Sequence, residues 1–134
     1  MGKRLERVID FKPEYTRLTH KVEELESLAE YVAKTFSLAP ARGGNTKKDD
    51  TYVKVIEYKE KQENRIRDYL RDCEELEEEI DELLEDPVTR AIMKARYLEG
   101  KKAETIAEEN HYEVRTIYRI LKKCRTLYEQ TFGA

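Results

Sequence analysis

Apolar residues recur at alternating spacings of three and four after residue 13, the a/d pattern of a coiled-coil helix. The pattern predicts a helix that begins near Pro13, since proline fits the first helical turn. Residues 1–12 form a polar lead-in, for which we expect at most a short helical arm with Leu5, Val8, Ile9 and Phe11 as its apolar positions. The predicted seam consists of Tyr15, Leu18, Val22, Leu25, Ala29, Val32 and Phe36.

A second stretch with the same alternation follows a segment that contains proline and several glycines. These helix-breaking residues predict a flexible loop over residues 37–50. Asp50 or Thr51 then caps a long helix over residues 51–85. Its seam comprises Ile66, Tyr69, Cys73, Leu76, Ile80 and Leu83, and it reaches back through the polar Lys59 and Gln62 to Val55 and Tyr52.

Two heptad helices joined by one loop pack most simply as an antiparallel hairpin. The second predicted helix is about 13 residues longer than the first, roughly 20 Å at ~1.5 Å per residue. Its acidic end, residues 72–86, should therefore extend past the first helix and find another partner. That partner is either the C-terminal part of the chain or a second copy, and the unpaired end motivates the prediction of a homodimer through the hairpin.

The dipeptide Asp86–Pro87 marks a boundary, because Asp is a good N-cap and Pro a good first helical residue. It divides a predicted hairpin domain, residues 1–86, from a C-terminal domain, residues 87–134. A third helix is predicted over residues 87–99. Its apolar face comprises Val88, Ala91, Ile92, Ala95 and Leu98, and Gly100 ends it.

Two further helices, over residues 102–109 and 113–131, flank a tight turn at residues 110–112. Steeply crossed helices need a small residue at their contact, which Ala107 supplies, and an apolar residue ten positions later, which Ile117 supplies. The other predicted core positions are Ile106, Tyr112, Ile120, Leu121 and Cys124. The sequence therefore predicts an all-α protein in which a C-terminal three-helix unit with a helix-turn-helix follows the coiled-coil hairpin.

Charge is distributed unevenly. Residues 1–86 carry 16 basic against 23 acidic residues (net -7), whereas residues 87–134 carry 10 against 6 (net +4), within a total of -3. The C-terminal part therefore tolerates a polyanion that the rest would repel. We predict base contacts from Glu113, Val114, Arg115, Thr116 and Arg119, and phosphate contacts from Lys101, Lys102, Tyr118, Lys122 and Lys123. On these residues alone, a three-helix tail with a solvated basic face is the alternative.

A resemblance to a known family is carried by the segment DPVTRAIMKARYLEGKKAETIAEENHYEVRTIYRILKKC. It resembles the C-terminal module of small phage and prophage proteins similar to region 4 of bacterial sigma factors, including late-gene transcription regulators of the ArpU and RinA type. The matching features are the RYLEGK run, the IAEE helix and the pattern formed by Tyr112, Ile117, Tyr118 and Arg119. The resemblance implies control of phage or mobile-element genes, with duplex DNA and host RNA polymerase as partners.

Three positions depart from that family's pattern. His111 stands where the turn usually has Gly, so it must adopt a left-handed backbone or a looser turn. Glu113 replaces the usual Ser or Thr cap; its carboxylate can cap the helix but repels phosphate. Val114 stands where a basic residue is common. Nothing in the chain resembles the sigma regions that melt promoters, so we do not expect a full sigma factor.

Other chemistries find little support. No nucleophile–base pair and no Gly-rich phosphate loop is present, so we expect neither an enzyme nor a cofactor. Glu108 and His111 have an ExxH spacing, but a metal site in a helical bundle needs a second such motif, which His20 does not bring. Cys73 and Cys124 lie at apolar positions, typical of buried thiols in a reducing compartment. Without a membrane-length apolar run or a signal peptide, we expect a cytoplasmic protein.

Two other functions stay open at this point. A small DNA-packaging subunit that recognises a genome end also combines a helix-turn-helix with coiled-coil oligomerisation. A coiled-coil adapter would bind another protein and no DNA. A ring-like oligomer would favour the first, and an absence of salt-dependent DNA binding would favour the second.

Overall fold

The computed structural model describes the backbone of residues 3–38 and 46–133 and the side chains of residues 4–35 and 50–133, and these parts are all helix and short connections. The helices are α1 (Lys3–Leu38), α2 (Thr46–Leu83), α3 (Pro87–Tyr97), α4 (Ala103–Asn110) and α5 (Val114–Phe132). The predicted all-α class is confirmed. Half of the predicted loop, residues 39–45, and the Phe36 side chain lie outside the described residues, whereas the other half is helical: α1 ends at Leu38 and α2 begins at Thr46, earlier than predicted.

The chain divides into two compact units that differ from the predicted domains. Met1–Lys12 and Tyr69–Ala134 form one, here called the terminal unit, and Pro13–Asp68 forms the other, the hairpin unit. Both long helices have residues in both units: α1 passes from the terminal unit into the hairpin unit at Pro13, and α2 passes back at Tyr69. The acidic end of α2 and the start of α1 therefore share a unit with α3, α4 and α5, rather than being separated from them at residues 86 and 87.

The start of α1 differs most from the sequence-based expectation. Pro13 lies inside α1, where its ring is exposed and costs the helix one backbone hydrogen bond, rather than at its first turn. The arm before it is helical, and Leu5 and Val8 are fully buried in the terminal unit. Because α1 has 36 residues and α2 has 38, the predicted overhang of α2 is wrong. The observation that motivated a hairpin dimer is therefore absent.

The acidic end of α2 pairs with cations of its own unit. Arg4 of α1 reaches Glu75 at 2.7 Å and also binds Glu79. Lys94 of α3 lies 2.6 Å from Asp81. Single exposed ion pairs stabilise proteins little, but several cations converging on one acidic helix end act together. This network explains why so acidic a segment packs against its neighbours.

In the hairpin unit the predicted seam forms the core. Its fully or partly buried members are Tyr15, Leu18, Val22, Leu25, Ala29, Val32, Val55 and Ile66. The polar seam residue Gln62 is only 4% exposed, and its amide oxygen accepts a hydrogen bond from Arg65 at 3.2 Å. The other polar seam residue is Lys59, whose ammonium group lies 3.8 Å from the Glu26 carboxylate. Tyr52, in contrast, lies at the surface, where the seam ends.

Helix α3 begins as predicted. The Asp86 carboxylate accepts hydrogen bonds from the backbone N–H of Thr89 at 3.1 Å and from its hydroxyl at 2.6 Å. Its predicted apolar face is right for Ile92 and Ala95 and wrong for Val88 and Ala91, which are exposed, while Met93 and Tyr97 are buried instead. The reason is that α3 contacts α4 and α5 and also the end of α2, so more than one of its faces is covered.

Candidate nucleic-acid interface

A tight turn joins α4 to α5 and sets the geometry of the candidate interface. His111 adopts the left-handed conformation (φ 58°, ψ 38°), the first of the two alternatives expected for this position. Its N–H donates to the Glu108 carbonyl at 3.4 Å, and the N–H of Tyr112 donates to the Ala107 carbonyl at 2.9 Å. These two bonds form a Schellman motif, in which His111 takes the place usually held by glycine. The turn therefore ends α4 sharply and lets α5 cross it.

The core beneath this turn contains most of the predicted residues. Ala107 and Ile117 are buried, as are Ile106, Leu121 and Cys124. Tyr112 is 43% exposed, so its predicted place in the core is wrong: it follows the left-handed residue, where the chain turns outward. The sequence reasoning missed Tyr128, which is buried and whose hydroxyl donates to Glu79 at 2.7 Å. The three-four spacing from Leu121 through Cys124 would have found it.

Helix α5 begins without the predicted side-chain cap. Glu113 is the N-cap residue, but its carboxylate makes no capping hydrogen bond. Instead its backbone carbonyl accepts from the N–H groups of Thr116 at 3.0 Å and Ile117 at 3.3 Å. The carboxylate is exposed, whereas Val114 and Thr116 are half-buried. Of the predicted base-contacting residues near the helix start, Glu113 and Arg115 are thus the most accessible.

A stripe of cations runs along the outer face of α5. Arg115, Arg119 and Lys122 follow one another at spacings of four and three and are all exposed. At 100° per residue this stripe lies roughly opposite the buried stripe formed by Ile117, Leu121, Cys124 and Tyr128. Within the side chains that the structure describes, none of the three cations forms an ion pair. The stripe therefore presents uncompensated positive charge to the solvent.

The remaining predicted contacts fall into two groups. Lys102 and Lys123 are exposed. The Lys101 ammonium lies 2.8 Å from Glu109, a hydrogen bond that raises the pKa of Lys101. The Tyr118 hydroxyl donates to Glu104 at 2.9 Å, which raises the pKa of Tyr118. Lys101 and Tyr118 therefore have partners within the protein that a phosphate would have to displace.

The structure offers little to other kinds of site. In residues 4–35 and 50–133, no group of three or more His, Cys, Asp or Glu side chains could hold a metal ion. Burial raises the pKa values of both Cys73 and Cys124, which keeps these free thiols protonated. None of the described helices is both long and apolar enough to cross a membrane.

A family model described as "Protein of unknown function (DUF1492)" matches residues 32–129, which are 98 of the 134 residues. The chain therefore belongs to this family. The matched region includes α3, α4 and nearly all of α5, and with them every residue of the candidate interface. No curated protein and no solved structure matches the chain.

Proposed function

We propose that this protein binds duplex DNA through α5 and regulates transcription of phage or mobile-element genes. The observation that carries DNA binding is the exposed stripe of Arg115, Arg119 and Lys122, which has no carboxylate partner in the described structure. It lies on the second helix of a helix-turn-helix, the element that enters the major groove in such proteins. The genetic context rests on the resemblance to sigma region 4-like regulators.

The arrangement assigns different tasks to the charged residues. Arg115, the second residue of α5, and Arg119, about one turn later, can each pair bidentately with guanine, whereas Lys122 contributes a salt-dependent phosphate contact. The exposed Glu113 carboxylate can accept a hydrogen bond from a cytosine amino group but repels phosphate. A carboxylate at the start of α5 favours contact with a base edge over contact with the phosphate backbone of DNA. It would therefore make binding by α5 depend on the DNA sequence.

The test is a selection of bound fragments from the source genome, sequenced for wild type and for the Arg115→Ala/Arg119→Ala variant. The matched control, Lys54→Ala/Lys61→Ala, removes two exposed cations from α2 and makes the same change in net charge. We expect one enriched motif upstream of a gene block, retained in the control. In the Arg115→Ala/Arg119→Ala variant, each lost guanine contact should cost about 1–3 kcal/mol and abolish the enrichment.

Other outcomes would point elsewhere. Enrichment of a genome end, together with a ring-like oligomer, would support a packaging subunit. No enrichment in any sample would contradict DNA binding and favour a protein–protein adapter. Equal losses in the α5 variant and the α2 control would show that only net charge matters, and the assignment of α5 as the recognition helix would fail.

A further inference from the structure

A groove runs along a second side of α5, away from the cationic stripe. Its volume is about 470 Å³, and both α5 and the end of α2 line it. Its apolar lining includes Leu83 and Leu84 on one wall and Ile120 and Leu127 on the other. Leu127 is 39% exposed, a large accessible fraction for an apolar residue inside a groove. None of the side chains described in the terminal unit fills this groove.

The two walls of this groove carry opposite charges. Glu82, at the end of α2, and Glu85, in the connection to α3, lie on one wall next to Asp86, the N-cap of α3, and Lys123 lies on the wall formed by α5. Among the described side chains neither the two glutamates nor Lys123 forms an ion pair, although neighbouring carboxylates such as Asp81 are paired with α3. The groove therefore combines an apolar floor with uncompensated charges of both signs on opposite sides.

We propose that a second copy of this chain occupies the groove in a two-fold symmetric dimer. A two-fold interface needs a self-complementary surface. An apolar centre with opposite charges on its two sides meets this requirement, because rotation brings each charge to one of the opposite sign. A related copy would bring its Lys123 to Glu82 and Glu85 and its own carboxylates to Lys123. A partner with only cations would pair with Glu82 and Glu85 but would also bring a cation next to Lys123. A second copy brings charges of both signs, so it can pair with both walls.

This dimer differs from the hairpin dimer expected from the sequence. It would use residues of the terminal unit alone, and at 100° per residue Ile120 and Leu127 lie well away from the line of Arg115, Arg119 and Lys122. If α5 binds DNA as proposed, both cationic stripes would stay open in the dimer. Two such stripes suit a site with two half-sites. The dimer itself does not require the DNA-binding proposal.

The test is sedimentation velocity of the full chain without DNA, over a series of protein concentrations. We expect wild type to associate to a dimer and Leu127→Asp to raise the dissociation constant about tenfold or more, because the dimer buries this side chain from both copies. The matched control is Leu28→Asp on α1, since Leu28 is 44% exposed in the hairpin unit. It should associate like wild type, and circular dichroism should show equal helix content in all variants.

Charge reversal gives a second readout that does not depend on an apolar substitution. Lys123→Glu and Glu85→Lys should each weaken the dimer, and the two together should restore it, because the opposite charges meet again across the two-fold axis. A wild type that stays monomeric, a Leu28→Asp variant that dissociates as much as Leu127→Asp, or a double reversal without restoration would overturn the proposal. Since no DNA is present, none of these results would bear on DNA binding.

Discussion

The burial of Leu5 allows a quantitative test of the terminal unit. Leu5 is 1% exposed, so Leu5→Ala removes buried methyl groups and leaves a cavity. Substitutions of this kind cost about 2–5 kcal/mol, against a total stability of about 5–15 kcal/mol for a typical domain. Because Leu5 lines one cleft together with Leu121, the loss should appear in α5, far along the chain.

Hydrogen–deuterium exchange of the α5 amide groups measures this loss directly. A cost of about 2 kcal/mol or more should accelerate exchange in α5 by roughly 30-fold or more, if those amides exchange through unfolding of the unit. Leu28→Ala is the matched control, because Leu28 is largely exposed on α1 in the hairpin unit. It should leave exchange in α5 unchanged.

The reasoning would be refuted by unchanged exchange in α5 after Leu5→Ala. That result would mean that the start of α1 does not support the helix-turn-helix, and that residues 87–134 hold together without it. Equal acceleration of exchange by Leu28→Ala would also refute the reasoning. It would show that the loss of stability does not depend on how deeply the substituted side chain is buried.

Two further predictions follow from the terminal unit. Burial and then the hydrogen bond to Glu79 raise the pKa of Tyr128 from 10.0 to about 12, so the folded state keeps this proton longer than the unfolded state. Its contribution is complete below pH 10 and disappears as the pH approaches 12, so the free energy of unfolding should fall across that window, and less steeply in Tyr128→Phe. Second, if α5 binds DNA as proposed, Lys122→Ala should reduce the salt dependence of the affinity, measured by fluorescence anisotropy, by about one phosphate contact. Lys101→Ala should change it little because Glu109 already binds Lys101, and equal effects would contradict this assignment.

The helices of the terminal unit could be predicted from the sequence where local signals mark their ends. The cap at Asp86 and the turn at His111 are short-range features, and α3, α4 and α5 begin and end within about two residues of the predicted positions. The hairpin seam could be predicted for a different reason, since its periodicity is sustained over many residues.

What could not be predicted depends on contacts between distant residues. Leu5 and Val8 form too short an apolar pattern to indicate a helix, and only packing within the terminal unit shows that they are core. Lys101, in the connection before α4, binds Glu109 in the last turn of α4, and no periodic pattern in the sequence indicates this pairing, so Lys101 could not be separated from Lys122 as a candidate for phosphate contact. Tyr112 has an apolar ring, but its exposure is set by the backbone direction after His111.

The burial of Leu5 and Val8 also has a consequence for biosynthesis. The ribosome makes the start of α1 first, whereas the part of α5 that lines the cleft with Leu5 is made roughly 120 residues later. At about 5–20 residues per second, Leu5 is without its partners in α5 for about 6–25 s. The nascent chain must therefore carry an unsatisfied apolar side chain until α5 has been made. A chaperone that binds short apolar helices would meet the start of α1 before the protein can fold over it.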